Sequence, residues 1–262
     1  MSATGYDLPA QPAPGVRAWA QLTLAEMRSV VRDTSGLIVP IGMPSLFLLV
    51  QGFASSSEVV PGTGGRSVLE LFVLPLMLVM VVALVGVVNM PSFLATYRKG
   101  GLLKRLAATP ARPSMVLGAQ VITSLAQTAV GVALAVGLAW GAFGLVGPER
   151  PWLAVAVFAA ICASLYGCGL VVAAIAPTPN ASVAIGLVVF FALGAVGGLF
   201  GGLQSLPDPI AAIGEWTPFG AGVVALQCAW VGEPVPAQSV IALVVTAVVG
   251  AAFAIRFFRW DR

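Results

Sequence analysis

The sequence has no histidine. That removes histidine-ligated haem, the common zinc sites and any imidazole base. Charge is nearly as scarce: 9% of 262 residues are Asp, Glu, Lys or Arg, where a soluble domain carries about a quarter. A net charge of +3 is too small to point to nucleic acid. No GxxxxGK[ST] phosphate loop and no GxSxG elbow occur, so the chain has neither its own P-loop ATP site nor that serine nucleophile. Paired carboxylates are missing too, which leaves a membrane-embedded lipid-modifying enzyme without a catalytic constellation. The three cysteines, Cys162, Cys168 and Cys228, form no CxxC pair and read as small buried hydrophobes. Residues 1–15 lack the apolar core of a signal peptide and read as a disordered tail.

What is abundant is apolar surface. Hydrophobic residues make up 59% of the chain, and the mean hydropathy is +0.99. They gather in six uncharged runs, near 36–54, 69–90, 114–142, 152–176, 181–202 and 238–257. About 20 helical residues cross a hydrocarbon layer of about 30 Å, so each run is a membrane span. The fold class expected is an all-α integral membrane protein. Pro40, Pro44 and Pro75 predict kinks, and Pro177 with Pro179 predicts a turn between spans four and five. With the N-terminus inside, eleven of the thirteen basic residues face the cytoplasm, and only Arg66 and Arg150 lie outside. The positive-inside rule therefore puts both termini in the cytoplasm, as an even number of spans requires.

Two flanking segments are not ordinary loops. In 16–33, Val16, Trp19, Ala20, Leu24, Met27, Val30 and Val31 fall on one side of a helical wheel, and Arg17, Gln21, Arg28 and Arg32 on the other. This predicts an amphipathic helix at the cytoplasmic membrane surface. Residues 203–237 carry acids but no Lys or Arg, and hold an apolar run broken at Gly214 and Pro218. They read as re-entrant or interfacial helices on the outer side, with Trp216 and Trp230 at headgroup level.

Within the spans, Gln51, Asn89, Gln120 and Gln127 either line a substrate path or bond across helices. Phe47, Phe53, Phe190, Phe191 and Phe200 either meet an apolar solute or contact lipid and core. Gly194, Gly198 and Gly202, four apart, read as a stripe for close helix approach, within the chain or between subunits. No ionisable residue lies deep in a span, since Glu70 sits at an outer end; this argues against a stand-alone proton antiporter.

The stretch "YRKGGLLKRLAATPARP", 97–113, concentrates Arg98, Lys99, Lys104, Arg105 and Arg112, with no acid between Glu70 and Glu149. Topology alone explains that charge. It does not explain Gly100-Gly101, the cluster of Leu102, Leu103 and Leu106, and the bracketing Pro110 and Pro113, which together describe a short amphipathic helix. The segment resembles the first cytoplasmic loop of ABC-exporter permeases of the drug-resistance and polysaccharide-export class. Gly100, Leu103, Lys104, Arg105, Leu106, Thr109 and Pro110 match its pattern, and the family's glutamate before the glycine is absent. Leu206, Pro207 and Pro218 match the element before the last span.

The resemblance implies six spans, an N-terminal connecting helix at 16–33, a cytoplasmic coupling helix between spans one and two, and a re-entrant outer element between spans five and six. It implies a bacterial inner-membrane permease subunit that pairs with a second permease, identical or related, and with two ABC ATPase subunits. ATP and Mg would sit on those subunits, and this chain would carry no cofactor. Arg98, Lys99, Leu102, Leu103, Lys104, Arg105, Leu106 and Pro110 would seat in the ATPase, with Trp19, Arg28 and Arg32 on the helix beside them. Phe47, Gln51, Phe53, Asn89, Phe190 and Phe191 are the candidates for a path taken by a drug-like or lipid-like solute. An ATPase-independent carrier or channel is the alternative.

Overall fold

A computed structural model of the chain describes residues 15–55, 58–61, 63, 65–100 and 113–257. Helix α1 (Val16–Arg32) leads with one intervening residue into α2 (Thr34–Ser55). Then come α3 (Leu69–Lys99), α4 (Pro113–Phe143), α5 (Pro151–Ile175) and α6 (Pro179–Val196). A 3-10 turn (Leu203–Ser205), α7 (Asp208–Gly214), α8 (Pro218–Val231) and α9 (Ala237–Phe257) complete the order. Among the described residues six helices, α2 to α6 and α9, are long and apolar enough to cross a membrane. Four of the helices begin on proline, whose missing N–H costs nothing at a first turn. At two of these starts a threonine caps the helix: Thr178 accepts from the Ala181 amide at 3.2 Å, and Thr217 from the Gly220 amide at 3.1 Å.

Helix α3 is the axle of the bundle. About 89% of its most apolar stretch is buried, against 22% for α6 and 28% for α9. From Leu74 to Ala83 its sequence is apolar on every side, as a helix surrounded by other helices requires. It also contains two π-helical turns, Leu69–Val73 and Leu84–Asn89, each followed within two residues by a proline, Pro75 and Pro91. A proline cannot donate to the carbonyl four residues back, here Leu71 and Val87, and the wider turn absorbs the mismatch. Helices α5 and α6 close on the second bulge. A Cβ at Gly169 would lie 1.8 Å from the Gly86 oxygen, and one at Gly186 would lie 2.6 Å from the Val87 oxygen.

Several expectations change in detail. The second span continues to Lys99 rather than ending near 90. The chain between Lys99 and Pro113 joins α3 to α4, so the coupling segment lies between spans two and three, not one and two. The fifth span ends at Val196, six residues early, because the glycine-rich stretch after it turns rather than continuing. Helices α7 and α8 meet at 82° around Gly214 and Pro218, and α8 is largely buried.

Candidate functional site

Pro40 builds a polar knot near the α1 end of the bundle. With no N–H on Pro40, the Gly36 carbonyl loses its helical donor, and an orphan carbonyl is costly in an apolar surrounding. Asn89 Nδ2 of α3 donates to it at 2.9 Å, and Gln127 Nε2 of α4 at 2.6 Å. Asn89 Nδ2 also donates to Gln127 Oε1 at 2.9 Å, and the Gly36 amide donates to Asp33 Oδ1 at 3.2 Å. Asn89 and Gln127 are buried and tie three spans together. Asn89 in addition lines a cleft of about 340 Å³ with Asp33, Ser92, Thr96 and Asn180.

Two neighbours at the foot of α3 hold the next elements. Arg98 donates to the Ala173 oxygen at 2.5 Å and the Ala176 oxygen at 2.8 Å, closing the end of α5. Ala173 lies four residues before Pro177, so the rule that exposes the Gly36 carbonyl exposes this one. The Tyr97 hydroxyl donates to the Glu26 carboxylate of α1. Burial pushes the Glu26 carboxyl up from its ordinary range, and the Tyr97 hydrogen bond pulls it partly back. Arg98 is thus engaged within the chain, whereas Lys99 is exposed at the helix end. Leu102, Leu103, Lys104, Arg105, Leu106 and Pro110 lie outside the described residues.

Helix α1 has three faces rather than two. Trp19, Glu26 and Val30 face the bundle; the Trp19 ring fills the space a side chain would need at Gly118 of α4. Ala20, Leu24 and Val31 form an exposed aliphatic face, with Leu24 53% and Val31 68% exposed. Arg17, Gln21, Arg28 and Arg32 form an exposed polar face beside it. The wheel separates apolar from basic positions, but it does not show that Trp19 and Val30 turn inward while Leu24 and Val31 turn out.

At the opposite end of the bundle, Glu70 is a hub, 2% exposed. Its Oε1 meets Arg66 Nη1 at 3.0 Å and accepts from the Trp230 indole at 3.1 Å and the Gly147 amide at 3.0 Å. Its Oε2 accepts from the Val146 amide at 3.3 Å. Arg66 also donates to the Gly147 oxygen at 2.7 Å and meets Glu149 at 3.6 Å. One carboxylate therefore joins the start of α3, the α4–α5 loop and α8. Trp230, expected at headgroup level, is buried because its N–H belongs to this hub; Trp216 is 54% exposed.

Beside the hub lies a cavity of about 490 Å³, lined by Phe47, Gln51, Phe72, Gln227 and the turn Gly197–Gln204. It unites Phe47 and Gln51 of the expected path, with Phe200 at its wall. Phe190 does not line this cavity: fully buried, it packs edge-on against Phe191 at 5.1 Å and Phe219 at 6.4 Å, the core placement of its two readings. Phe53, 78% exposed, packs on Phe143, and neither Phe53 nor Phe191 lines this cavity. The glycine stripe is corrected. Gly198 and Gly202 lie beyond α6 at φ +88° and +81°, and Leu199 folds back over Gly194, so no helical face carries the three together.

Sequence reasoning missed Glu26, Tyr97 and the Glu70 hub, whose partners are distant in the chain. The prolines were a usable signal, since each marks the carbonyl four residues earlier as needing a donor. No curated protein matches the chain. The family model for the ABC-2 type transporter matches residues 17–229, from α1 through all but the last two residues of α8. The chain is a multi-pass membrane protein that belongs to the ABC-2 type transporter family, as the transmembrane subunit of an ABC transporter that works with ABC ATPase subunits.

Proposed function

We propose that this subunit exports an amphipathic, drug-like or lipid-like solute by alternating access, driven by separate ATPase subunits that dock on 97–113. ATP and Mg belong to those subunits, and a second permease, identical or related, completes the membrane domain. The observation that carries the reading is the foot of α3. Tyr97 and Arg98, at the start of the docking stretch, are hydrogen-bonded to α1 and to the end of α5. A push on the loop there reaches three elements, including the buried axle of the bundle. The clefts at the two ends, about 340 and 490 Å³, flank α2, α3 and α6 and suit a solute taken up at one face and released at the other. The aromatic and aliphatic lining of the larger cavity, with the amides of Gln51, Gln204 and Gln227, fits an amphipathic solute rather than an ion.

The membrane is the bacterial inner membrane, with both termini cytoplasmic. Eleven basic residues then face the cytoplasm, and Arg66, one of the two outside, is neutralised by Glu70. The test is Leu103→Asp with Leu106→Asp. The variant should insert at the wild-type level and lose the ATPase subunit on co-purification from mild detergent. Undiminished ATPase association would reduce 97–113 to a topology signal.

A further inference from the structure

Helix α1 carries a feature that goes beyond the transport reading and does not depend on what is moved. Its bundle-facing side fixes its rotation through Val30, the Trp19 contact with Gly118 and the Glu26–Tyr97 hydrogen bond. The two outward faces are therefore committed. Arg28 and Arg32, one turn apart and both exposed, border a hollow of about 350 Å³ with Ala25 and Ser29. On their other flank lies the exposed aliphatic face of Leu24 and Val31. Glu26, the one acid of α1, points the other way and is buried, and Asp33 at the helix's end accepts from the Gly36 amide. One residue after α1 the chain turns into an apolar span, which sets the helix at the rim of the hydrocarbon layer.

We infer that Arg28 and Arg32 form a binding site for one anionic glycerophospholipid. The phosphate sits between the two guanidinium groups and an acyl chain lies along Leu24 and Val31. A guanidinium fork matches phosphate oxygens in pairs, and a basic stripe beside an aliphatic one is the pattern of helices that hold anionic lipid. A docking site for an acidic protein surface would use the arginines but leave the aliphatic face without a partner.

The test uses the full chain, purified and stripped of lipid in neutral detergent. Binding of dioleoyl phosphatidylglycerol and dioleoyl phosphatidylcholine is compared by native mass spectrometry. The wild type should prefer the anionic lipid. Arg28→Gln with Arg32→Gln should weaken phosphatidylglycerol binding roughly twentyfold and leave phosphatidylcholine unchanged. Arg28→Lys with Arg32→Lys, which keeps the charge but not the fork, should restore only part of it, and Arg150→Gln, at the other end of the bundle, should change nothing. Unchanged phosphatidylglycerol binding in the glutamine variant would overturn the site, as would an equal loss in Arg150→Gln. If the glutamine variant keeps its lipid preference but loses the ATPase subunit on co-purification, the stripe belongs to a protein partner and the lipid site is refuted, whatever becomes of the export reading.

Discussion

Replacing Asn89 and Gln127 together by leucine removes both side-chain donors to the Gly36 carbonyl while nearly keeping volume. The size of the loss depends on Pro40. Hydrogen bonds between membrane helices are worth about 0.6 kcal/mol on average and up to about 1.7. A buried carbonyl left with no donor costs about 1–3 kcal/mol. The double variant should therefore lose about 2–4 kcal/mol in the native background. In a Pro40→Ala background residue 40 regains its N–H, which can donate to Gly36, and the same double change should cost about 1–2 kcal/mol less. The assay is reversible unfolding in mixed micelles with increasing SDS, followed by helical circular dichroism. If the two costs agree within about 0.5 kcal/mol, the sites are independent and the proline-freed carbonyl is not what the amides serve.

Glu70→Ala should cost about 3–5 kcal/mol, because it leaves Arg66 buried without its closest carboxylate; thermal unfolding in detergent reads the loss, and proteolysis within 144–150 should quicken. Gly169→Ala should cost about 3 kcal/mol or more, since its Cβ would meet the Gly86 oxygen, while Gly137→Ala, with open space around it, should be neutral or slightly stabilising; size-exclusion profiles of the two variants separate these outcomes. For Glu26 the sign follows from its raised pKa. The folded chain holds the proton more tightly than the unfolded one, so this group's contribution falls as pH rises from about 4.5 through the raised value. Melting temperature against pH should slope down over that window in the wild type, and Glu26→Gln should remove that part of the slope.

The spans were legible because an uncharged run of sufficient length has few other destinations. The bend between α7 and α8 was legible for a similar reason, since Gly214 and Pro218 interrupt an apolar run. The span ends were less so. Reading 181–202 as one helix treated Gly198 and Gly202 as packing residues, whereas their positive φ makes them a turn. Stopping the second span near 90 hid Tyr97 and Arg98 inside what looked like a loop. The polar contacts were the least legible part. Gly36, Asn89 and Gln127 are 53 and 38 residues apart in turn, and Glu70 and Trp230 are 160 apart. Local periodicity can mark a need, as Pro40 does for Gly36, but the partner is chosen by how α2, α3 and α4 pack.

The proposed role of this chain is the membrane half of an ATP-driven exporter. Extraction from native membranes in mild detergent, followed by native mass measurement and an ATP hydrolysis assay on the same sample, tests it most directly. The expected result is a complex in which each copy of the chain is matched by one ATPase subunit, and which moves solute only while ATP is hydrolysed. A chain that purifies without any nucleotide-binding partner and moves solute in vesicles lacking ATP would contradict it.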